Sequence, residues 1–393
     1  MYGAAASFCY MKVALVHDYL REYGGAERVV EALHEIWPDA PLYTAFVDWQ
    51  ALGAFGKKFK GWDIRTTWAQ NFLMKKFHSP LRFLTPLVWE SLNLNGFDVV
   101  ISSSGWYMCR GVVTRPETLH VSYIHHPPRN LYGLPTGSSP NKLVQAYAAF
   151  INPFLRVYDY ASVQRVDFLV ANSETTRQRI KKFYRREAEV IYPPVAVISR
   201  QSLVIRKKDY FLSVGRLNYA KRIDLAIEAC NRLKLPLKIV GTGKEETRLK
   251  ALAARPPAAV AAGAAGWRST VEFLGAVSDE ELVKLYSGAK ALIFTALEED
   301  FGLVPIEAMS CGTPVITLKQ GGVMETVIDG KTGIFFDKPE VDNVMAAIKK
   351  FQKLKLKPQD CTAQAAKFSK DKFKEKIKAL VEDKYGLLRQ QVI

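Results

Sequence analysis

Twice along this chain, short β-branched runs alternate with amphipathic helical patterns, the signature of βαβ units and of parallel sheets covered on both faces. The first series places strands at Lys12–His17, Leu42–Phe46, Asp98–Ser103, His120–Ile124, Val166–Ala171 and Val190–Tyr192, with helices near Ala26–Ile36, Lys142–Tyr160 and Glu174–Phe183. The second places strands at Tyr210–Val214, Leu237–Val240, Val271–Leu274, Ala291–Thr295, Pro314–Leu318 and Gly333–Phe336, with helices near Lys221–Arg232, Asp279–Ser287 and Pro305–Ser310. Between them Tyr192–Lys208 opens with Pro193-Pro194. Proline has no amide N–H and disfavours helix in the residue before it, so this segment is read as an interdomain linker. The predicted fold is α/β: two Rossmann-like, doubly wound domains facing a central cleft, at residues 11–195 and 205–365, with a terminal helix at 366–393 that returns to the first domain.

A length of 393 residues suits two domains at roughly 100–200 residues each. Fifty-five Lys and Arg stand against 39 Asp and Glu, a net charge of +16 that attracts anions of any kind, whether phosphate groups, nucleic acid or acidic lipid. Nucleic acid is the disfavoured partner, because no helix-turn-helix, zinc-finger or RNP-like motif accompanies the charge. The cysteines Cys9, Cys109, Cys230, Cys311 and Cys361 are scattered and never in C-x-x-C spacing, so neither a disulfide framework nor a zinc site is suggested and a reducing compartment is expected. The alanine-rich run Ala251–Trp267 carries Arg255, Pro256 and Pro257 and is no membrane span, while Met1–Tyr10 is read as an extension without a functional role.

Ligands of doubly wound sheets sit beyond the carboxyl ends of the strands, which directs attention to the residues just after each strand. After the first comes Gly24-Gly25, a close-approach turn ahead of a helix whose unpaired amides favour an anion. The second series opens with Gly215-Arg216 and Lys221; an arginine grips phosphate oxygens bidentately while a lysine acts as a point charge, although solvated cations would look the same. Gly241-Thr242-Gly243 mimics a dinucleotide fingerprint, but Glu246 stands at the third glycine position, which disfavours a nicotinamide cofactor.

The most specific segment is Glu298-Glu299-Asp300-Phe301-Gly302-Leu303-Val304-Pro305-Ile306-Glu307, a loop feeding a short helix that ends at Gly312. Two carboxylates so spaced can accept hydrogen bonds from paired hydroxyls, and the helix start offers amides to a phosphate. Helix-dipole preference alone accounts for Glu298–Asp300 but not for Glu307. No true D-x-D occurs, so no metal site is expected. In the first half, Tyr123-Ile124-His125-His126-Pro127-Pro128-Arg129 follows a strand directly, and a histidine there can donate to a hydroxyl.

Together these segments resemble the retaining nucleotide-sugar glycosyltransferases of family 4, of the GT-B fold, over nearly the whole chain. The pattern E-x7-E falls on Glu299 and Glu307, followed by Cys311-Gly312-Thr313-Pro314-Val315-Ile316. The resemblance implies that Glu299 contacts the donor sugar, Glu307 the ribose hydroxyls, and Arg216 and Lys221 the diphosphate. The stretches Val99–Ser104 and Tyr123–Arg129 are similar to a bacterial subgroup that builds surface polysaccharide and includes many mannosyltransferases, in which His125 would touch the donor sugar; His126 and Gly105 depart from that pattern. The implied catalytic set is Arg216, Lys221, Glu299 and His125. The implied ligand-binding set is Gly24, Gly25, Gly215, Gly241, Phe301, Gly302, Leu303, Val304 and Glu307, with Gly24-Gly25 on the acceptor side and Gly321-Gly322 as a further glycine loop near the donor.

The implied reaction is metal-independent transfer of a hexose, with GDP-mannose as the favoured donor and a UDP-sugar as the alternative. The acceptor is a glycan or a polyprenyl-diphosphate-linked hydroxyl, and the donor phosphate itself takes the acceptor proton. A catalytically inert sugar-nucleotide sensor on the same fold is the competing reading. The stretch Phe55–Glu90 carries seven Lys and Arg against Asp63 and Glu90, interleaved with Trp62, Trp68, Phe72 and Phe77, and Ile348–Ile393 carries thirteen Lys and Arg against five acids. Such stretches suit an anionic membrane surface or a solvated face, and lead to the expectation of a cytoplasmic protein peripheral to the inner membrane face.

Overall fold

The computed structural model describes residues 11–136, 141–195, 209–256 and 269–392. The leader, the linker from residue 196 to residue 208 and most of the alanine-rich run lie outside the described residues. The chain forms two compact units. The first runs through Gly133, resumes over Leu143–Pro194 and takes in the chain from Asp371; the second comprises Leu134–Lys142 and Val195–Lys370.

The first unit holds seven parallel strands: β1 (Val13–His17), β2 (Leu42–Thr44), β3 (Ile64–Thr66), β4 (Val99–Ser104), β5 (Leu119–Ile124), β6 (Phe168–Ala171) and β7 (Glu189–Val190). Their order across the sheet is β3-β2-β1-β4-β5-β6-β7. Its helices are α1 (Gly25–Ile36), α2 (Trp49–Leu52), α3 (Phe72–Phe77), α4 (Thr85–Glu90), α5 (Lys142–Gln164) and α6 (Glu174–Tyr184). Strands β1, β4 and β5 are buried along their whole length, as the central strands of a sheet covered on both faces must be. Alternate residues feed two cores: Val13, Leu15, Val99 and Ile101 pack with Val29 and Leu33 of α1, whereas Ala14, Val16 and Val100 pack with Phe46, Trp89 and Tyr107.

The second unit has six parallel strands: β8 (Phe211–Val214), β9 (Leu237–Val240), β10 (Val271–Gly275), β11 (Leu292–Phe294), β12 (Val315–Leu318) and β13 (Gly333–Phe336), ordered β10-β9-β8-β11-β12-β13. Helices α7 (Ile223–Leu233), α8 (Glu246–Ala253), α9 (Asp279–Gly288), α10 (Leu303–Ser310), α11 (Val323–Thr326), α12 (Val341–Gln352) and α13 (Pro358–Ala365) cover it. Helix α14 (Lys370–Val392) begins four residues later than the sequence suggests, after α13 and a 3-10 turn at Ala366–Phe368. It adds Phe373, Ile377, Leu380 and Val381 to the core of the first unit, at helical spacing, and its Phe373 ring lies 5.7 Å from that of Tyr123.

Both sheets follow the doubly wound order, which reverses between β1 and β4 in one and between β8 and β11 in the other. Ligands bind outside the strand ends at such switch points, because the connecting segments diverge there and open a crevice. No helix of the described residues is long and apolar enough to cross a membrane. Cys109, Cys230, Cys311 and Cys361 are free and buried.

Candidate active site

At the switch point of the second sheet, the chain leaves β8 through Gly215, whose φ of 151° lies in the left-handed half of backbone space. Gly241, after β9, has φ 130°, and a Cβ on it would stand 2.0 Å from the Gly215 carbonyl oxygen. Gly215 N–H donates to the Val240 carbonyl at 3.0 Å and Leu217 N–H to that of Thr242 at 2.9 Å. The glycines at 241 and 243 are thus required by backbone meeting backbone, and the near-fingerprint that the sequence shows is a loop-on-loop contact. Arg216 is exposed on the loop so held.

Lys221 ends a 3-10 turn, Tyr219–Lys221, rather than starting a helix, and Asn218 caps that turn by accepting the Lys221 amide at 3.2 Å. Its Nζ donates to Glu299 Oε2 at 2.6 Å and sits 5.4 Å from the centre of the Phe294 ring at the end of β11. Arg222 pairs with Asp224 at 3.0 Å, an ordinary local ion pair. Glu299 is held from behind: its carbonyl accepts from the Gly322 amide at 2.8 Å, and a Cβ on Gly321 would stand 2.3 Å from that carbonyl oxygen. The Gly321-Gly322 pair therefore shapes the Glu299 loop.

Gly302, with φ 91°, caps α10, and Leu303 and Val304 fill its first turn, half-buried. Pro305 then replaces one of the amides that a helix start leaves unpaired. Phe301 is buried with its ring 5.6 Å from that of Phe368, so its side chain belongs to the core. Glu307, on the next turn of α10, is buried, and its Oε2 accepts from the Tyr286 hydroxyl of α9 at 3.1 Å. Tyr286 was missed by sequence reasoning; it lies 21 positions upstream with no local signal.

In the first unit the switch point holds a chain of polar contacts. Gly24 is the N-cap of α1 and Gly25 its first residue; the Gly24 amide donates to Glu27 Oε2 at 2.8 Å, so that amide is committed to a carboxylate of its own chain. Glu27 Oε1 lies 3.5 Å from His17 Nε2, His17 Nδ1 donates to the Ser103 carbonyl at 3.1 Å, and the Ser103 hydroxyl meets His125 Nε2 at 2.8 Å. Burial alone would lower the His17 pKa, but the Glu27 carboxylate outweighs it, with help from Asp18 and Ser103, and holds His17 above its ordinary value. His125 is held well below its ordinary value by burial, with His17 and His126 adding like charge, so it is a neutral donor and acceptor. An acidic residue at the third helical position is a recognisable capping signal, the local pattern that marks Glu27 in the sequence.

Asp18 is a second residue the sequence reading passed over. Its Oδ2 accepts from the amides of Gly105 and Tyr107 and its Oδ1 from that of Cys109, each at 2.9 Å, which fixes the loop after β4. The far side of that loop is tied by a fully buried ion pair between Arg110 and Asp159 of α5; Tyr132 and Tyr184 donate to the other Asp159 oxygen at 2.8 and 2.9 Å. Satisfying the carboxylate in this way is what makes burying the pair tolerable.

Among the candidate residues, the structure thus joins Lys221 to Glu299 directly and packs Gly215 against Gly241. It sets Gly302, Leu303, Val304 and Glu307 on one short helix and links Gly24 to His125 through Glu27, His17 and Ser103. Among the described residues, no group of three or more His, Cys, Asp or Glu side chains is placed to hold a metal ion.

Comparison with known proteins gives these sites a context. The family model "Glycosyltransferase Family 4" matches residues 23–197, and "Glycosyl transferases group 1" matches residues 196–368. The D-inositol 3-phosphate glycosyltransferase of Mycobacterium sp. (strain KMS) is 29% identical over 203 residues, 48% of this chain and 45% of that protein. The human alpha-1,3/1,6-mannosyltransferase ALG2 is 28% identical over 207 residues, 47% of this chain and 50% of that protein. The chain spans about half the length of these curated relatives. The structure of Anabaena HepE in complex with UDP matches the fold with a TM-score of 0.67 at 20% identity, covering 95% of this chain and 100% of that one. Each half of the chain thus matches a glycosyltransferase family model, and the fold is that of the GT-B proteins, two parallel-sheet, Rossmann-like units.

Proposed function

We propose that the protein transfers a hexose from a nucleoside diphosphate sugar to an acceptor hydroxyl with retention of anomeric configuration. The observation that carries this reading is the Lys221–Glu299 contact at the switch point of the second sheet, in the loop that leads into α10. A cation and helix-start amides suit a diphosphate, while a carboxylate suits the hydroxyls of the sugar attached to it.

Negative charge grows on the departing diphosphate. Arg216, Lys221 and the amides of Leu303 and Val304 are assigned to stabilise it, which is electrostatic catalysis by groups already in place. Glu299 accepts from donor-sugar hydroxyls and Glu307 from the ribose hydroxyls, its carboxylate oriented by Tyr286. From the first unit, neutral His125 is assigned to a sugar hydroxyl and the Gly24-Gly25 turn to the acceptor. Gly215 and Gly241 support the Arg216 loop, and Phe301 and Gly302 position α10.

Mannose from GDP-mannose is the preferred donor, supported by the relatedness to the human mannosyltransferase. A UDP-hexose is the second reading, favoured by the likeness of fold to a protein whose structure holds UDP. The acceptor is assigned to the glycan or polyprenyl-diphosphate class, in polysaccharide or glycolipid synthesis at the inner face of a cell membrane, and no metal is assigned a role. The test is to incubate the purified protein with GDP-mannose or UDP-glucose and a lipid-linked acceptor fraction, then read the product linkage by NMR. An α-linked product from an α-linked donor is expected; a β-linked product, or no transfer from any sugar nucleotide, would contradict the proposal.

A further inference from the structure

The loop that carries Glu299 is clamped on both sides. Glu298, one residue earlier, has φ 49° although it is not a glycine, and its carboxylate accepts from the side-chain amide of Gln320. A left-handed residue with a side chain persists only where its surroundings over-determine it. The Glu299 carbonyl accepts from the Gly322 amide at 2.8 Å, and a Cβ on Gly322 would stand 2.3 Å from the next carbonyl oxygen, that of Asp300. Towards Lys221, the Leu297 amide donates to the Ala220 carbonyl and the Thr295 hydroxyl to the Lys221 carbonyl, each at 2.9 Å. The backbones that present Lys221 and Glu299 are therefore sewn together, and neither withdraws from the other without breaking these contacts.

That rigidity has an electrostatic consequence. Lys221 Nζ is 2.6 Å from Glu299 Oε2, and both side chains are partly buried. An ammonium group has three N–H donors, so a phosphate oxygen that accepts from another of them comes to rest about 5 Å from this carboxylate. At that separation two negative charges partly shielded from water repel, and each further charge on the phosphate adds to the repulsion.

We propose that Glu299 is a specificity residue that sets the intact sugar nucleotide apart from the spent nucleoside diphosphate, with Glu298 and Gln320 as the positioning residues that keep its carboxylate in place, an inference that rests on the transfer reading above and deepens it. During transfer the bond from the sugar C1 to the diphosphate oxygen breaks and leaves its electron pair on that oxygen. C1 bonds to the acceptor oxygen, whose proton passes through the diphosphate to water. The terminal phosphate then has a second ionisation, with a pKa of about 6, and carries a negative charge that the donor lacks. The donor offers Glu299 hydroxyls that donate to it. The spent nucleotide offers only the added charge, so the carboxylate favours the donor and hastens the departure of the product.

Calorimetric titration of the full chain with GDP and GDP-mannose, and with UDP and UDP-glucose, tests it. In Glu299→Gln the free diphosphate should bind about tenfold more tightly, while the sugar nucleotide of the same base does not tighten. Glu299→Ala, which removes the charge and leaves no amide, should show the same. Gln320→Ala keeps Lys221 and Glu299 but releases Glu298, and should move the ratio of the two affinities in the same direction by a smaller factor. Unchanged circular dichroism establishes that the variants are folded. Parental diphosphate affinity in both Glu299 variants, or tightening of both ligands by one factor, would overturn the discrimination; a parental ratio in Gln320→Ala would overturn the positioning role. A parent that binds neither ligand refutes the transfer reading itself, whereas binding of both with a ratio that no variant moves refutes the specificity role alone.

Discussion

Lys221 and Glu299, 78 positions apart, meet through a 2.6 Å hydrogen bond between Nζ and Oε2, with each side chain about 21% exposed. One group arrives on a capped turn after β8 and the other on a loop after β11, so the contact spans the point where the strand order reverses. The pair is only partly exposed, and leaving one of its charges without the other costs about 1–3 kcal/mol. The contact matters more as a preset arrangement of a cation and a carboxylate.

Replacing either partner should therefore separate function from folding. Lys221→Ala is expected to cut kcat/KM by roughly a hundredfold or more, with a loss of unfolding free energy of about 1–3 kcal/mol that leaves the protein folded. Steady-state kinetics and urea denaturation read the two quantities. Loss of folding with retained specific activity would reverse the assignment.

Glu307 receives the Tyr286 hydroxyl inside the second unit. Glu307→Ala should weaken binding of a nucleoside diphosphate by about tenfold or more, equivalent to roughly 1.4 kcal/mol. Tyr286→Phe should weaken it less, because the carboxylate remains and loses only one donor, worth about 1 kcal/mol. Calorimetric titration of the free nucleotide checks the ranking, and equal affinities in all three proteins would exclude the ribose role.

Gly241 makes a prediction about folding. With φ 130° and a Cβ position 2.0 Å from the Gly215 carbonyl oxygen, Gly241→Ala is both strained and overpacked, at a cost of roughly 3 kcal/mol or more. Gly53→Ala, at φ 53° and ψ −127° with open space around its Cβ, meets only the backbone penalty of roughly 1–3 kcal/mol. Thermal melts of the two variants should fall in that order.

Two buried histidines set a pH dependence. Burial, with Arg165 adding like charge, pushes the His120 pKa down to about 3, and His125 is lowered in the same direction. Below the ordinary histidine value of about 6.5 the unfolded chain takes up protons that these groups refuse when folded. Their contribution is therefore complete above that value and declines as the pH falls, by about 1.4 kcal/mol per unit for each group. His17 acts oppositely, since its raised pKa adds stability below about 6.5 that is lost as the pH rises through the folded value. Urea midpoints of the parent and of His120→Gln between pH 6.5 and pH 5 isolate one group: the variant should show the shallower loss, and parallel curves would contradict the assignment.

The strands that read clearly in the sequence are the central ones, such as Val13–His17 and Leu237–Val240, because a mostly apolar, β-branched run between helical patterns leaves few alternatives. Edge strand β3 went unseen: Ile64-Arg65-Thr66 buries one side chain in part and has no apolar run to announce it. The short helices α2 to α4 share that stretch and have too few turns for a periodicity to register. At the site, Lys221 and Glu299 were each legible as a chemical type just after a strand. Their pairing was not, since it depends on the sheet order. Tyr286, Asp18 and Ser103 act through contacts 21 to 91 positions distant, which no local pattern records. Gly241 was legible as part of a fingerprint-like glycine turn, but what its missing side chain admits is the Gly215 backbone.

The central claim is that the groups around the β8 and β11 ends hold the diphosphate of a sugar nucleotide. Thermal denaturation of the parent, Arg216→Ala and Glu307→Ala against a panel of GDP- and UDP-linked hexoses tests it most directly, because a ligand that binds only the folded chain raises its stability by about 2.7 kcal/mol at a hundred times its Kd. A concentration-dependent rise in Tm with one class of sugar nucleotide, reduced in both variants, is the predicted result. An unmoved Tm across the whole panel, or equal shifts in parent and variants, would contradict it.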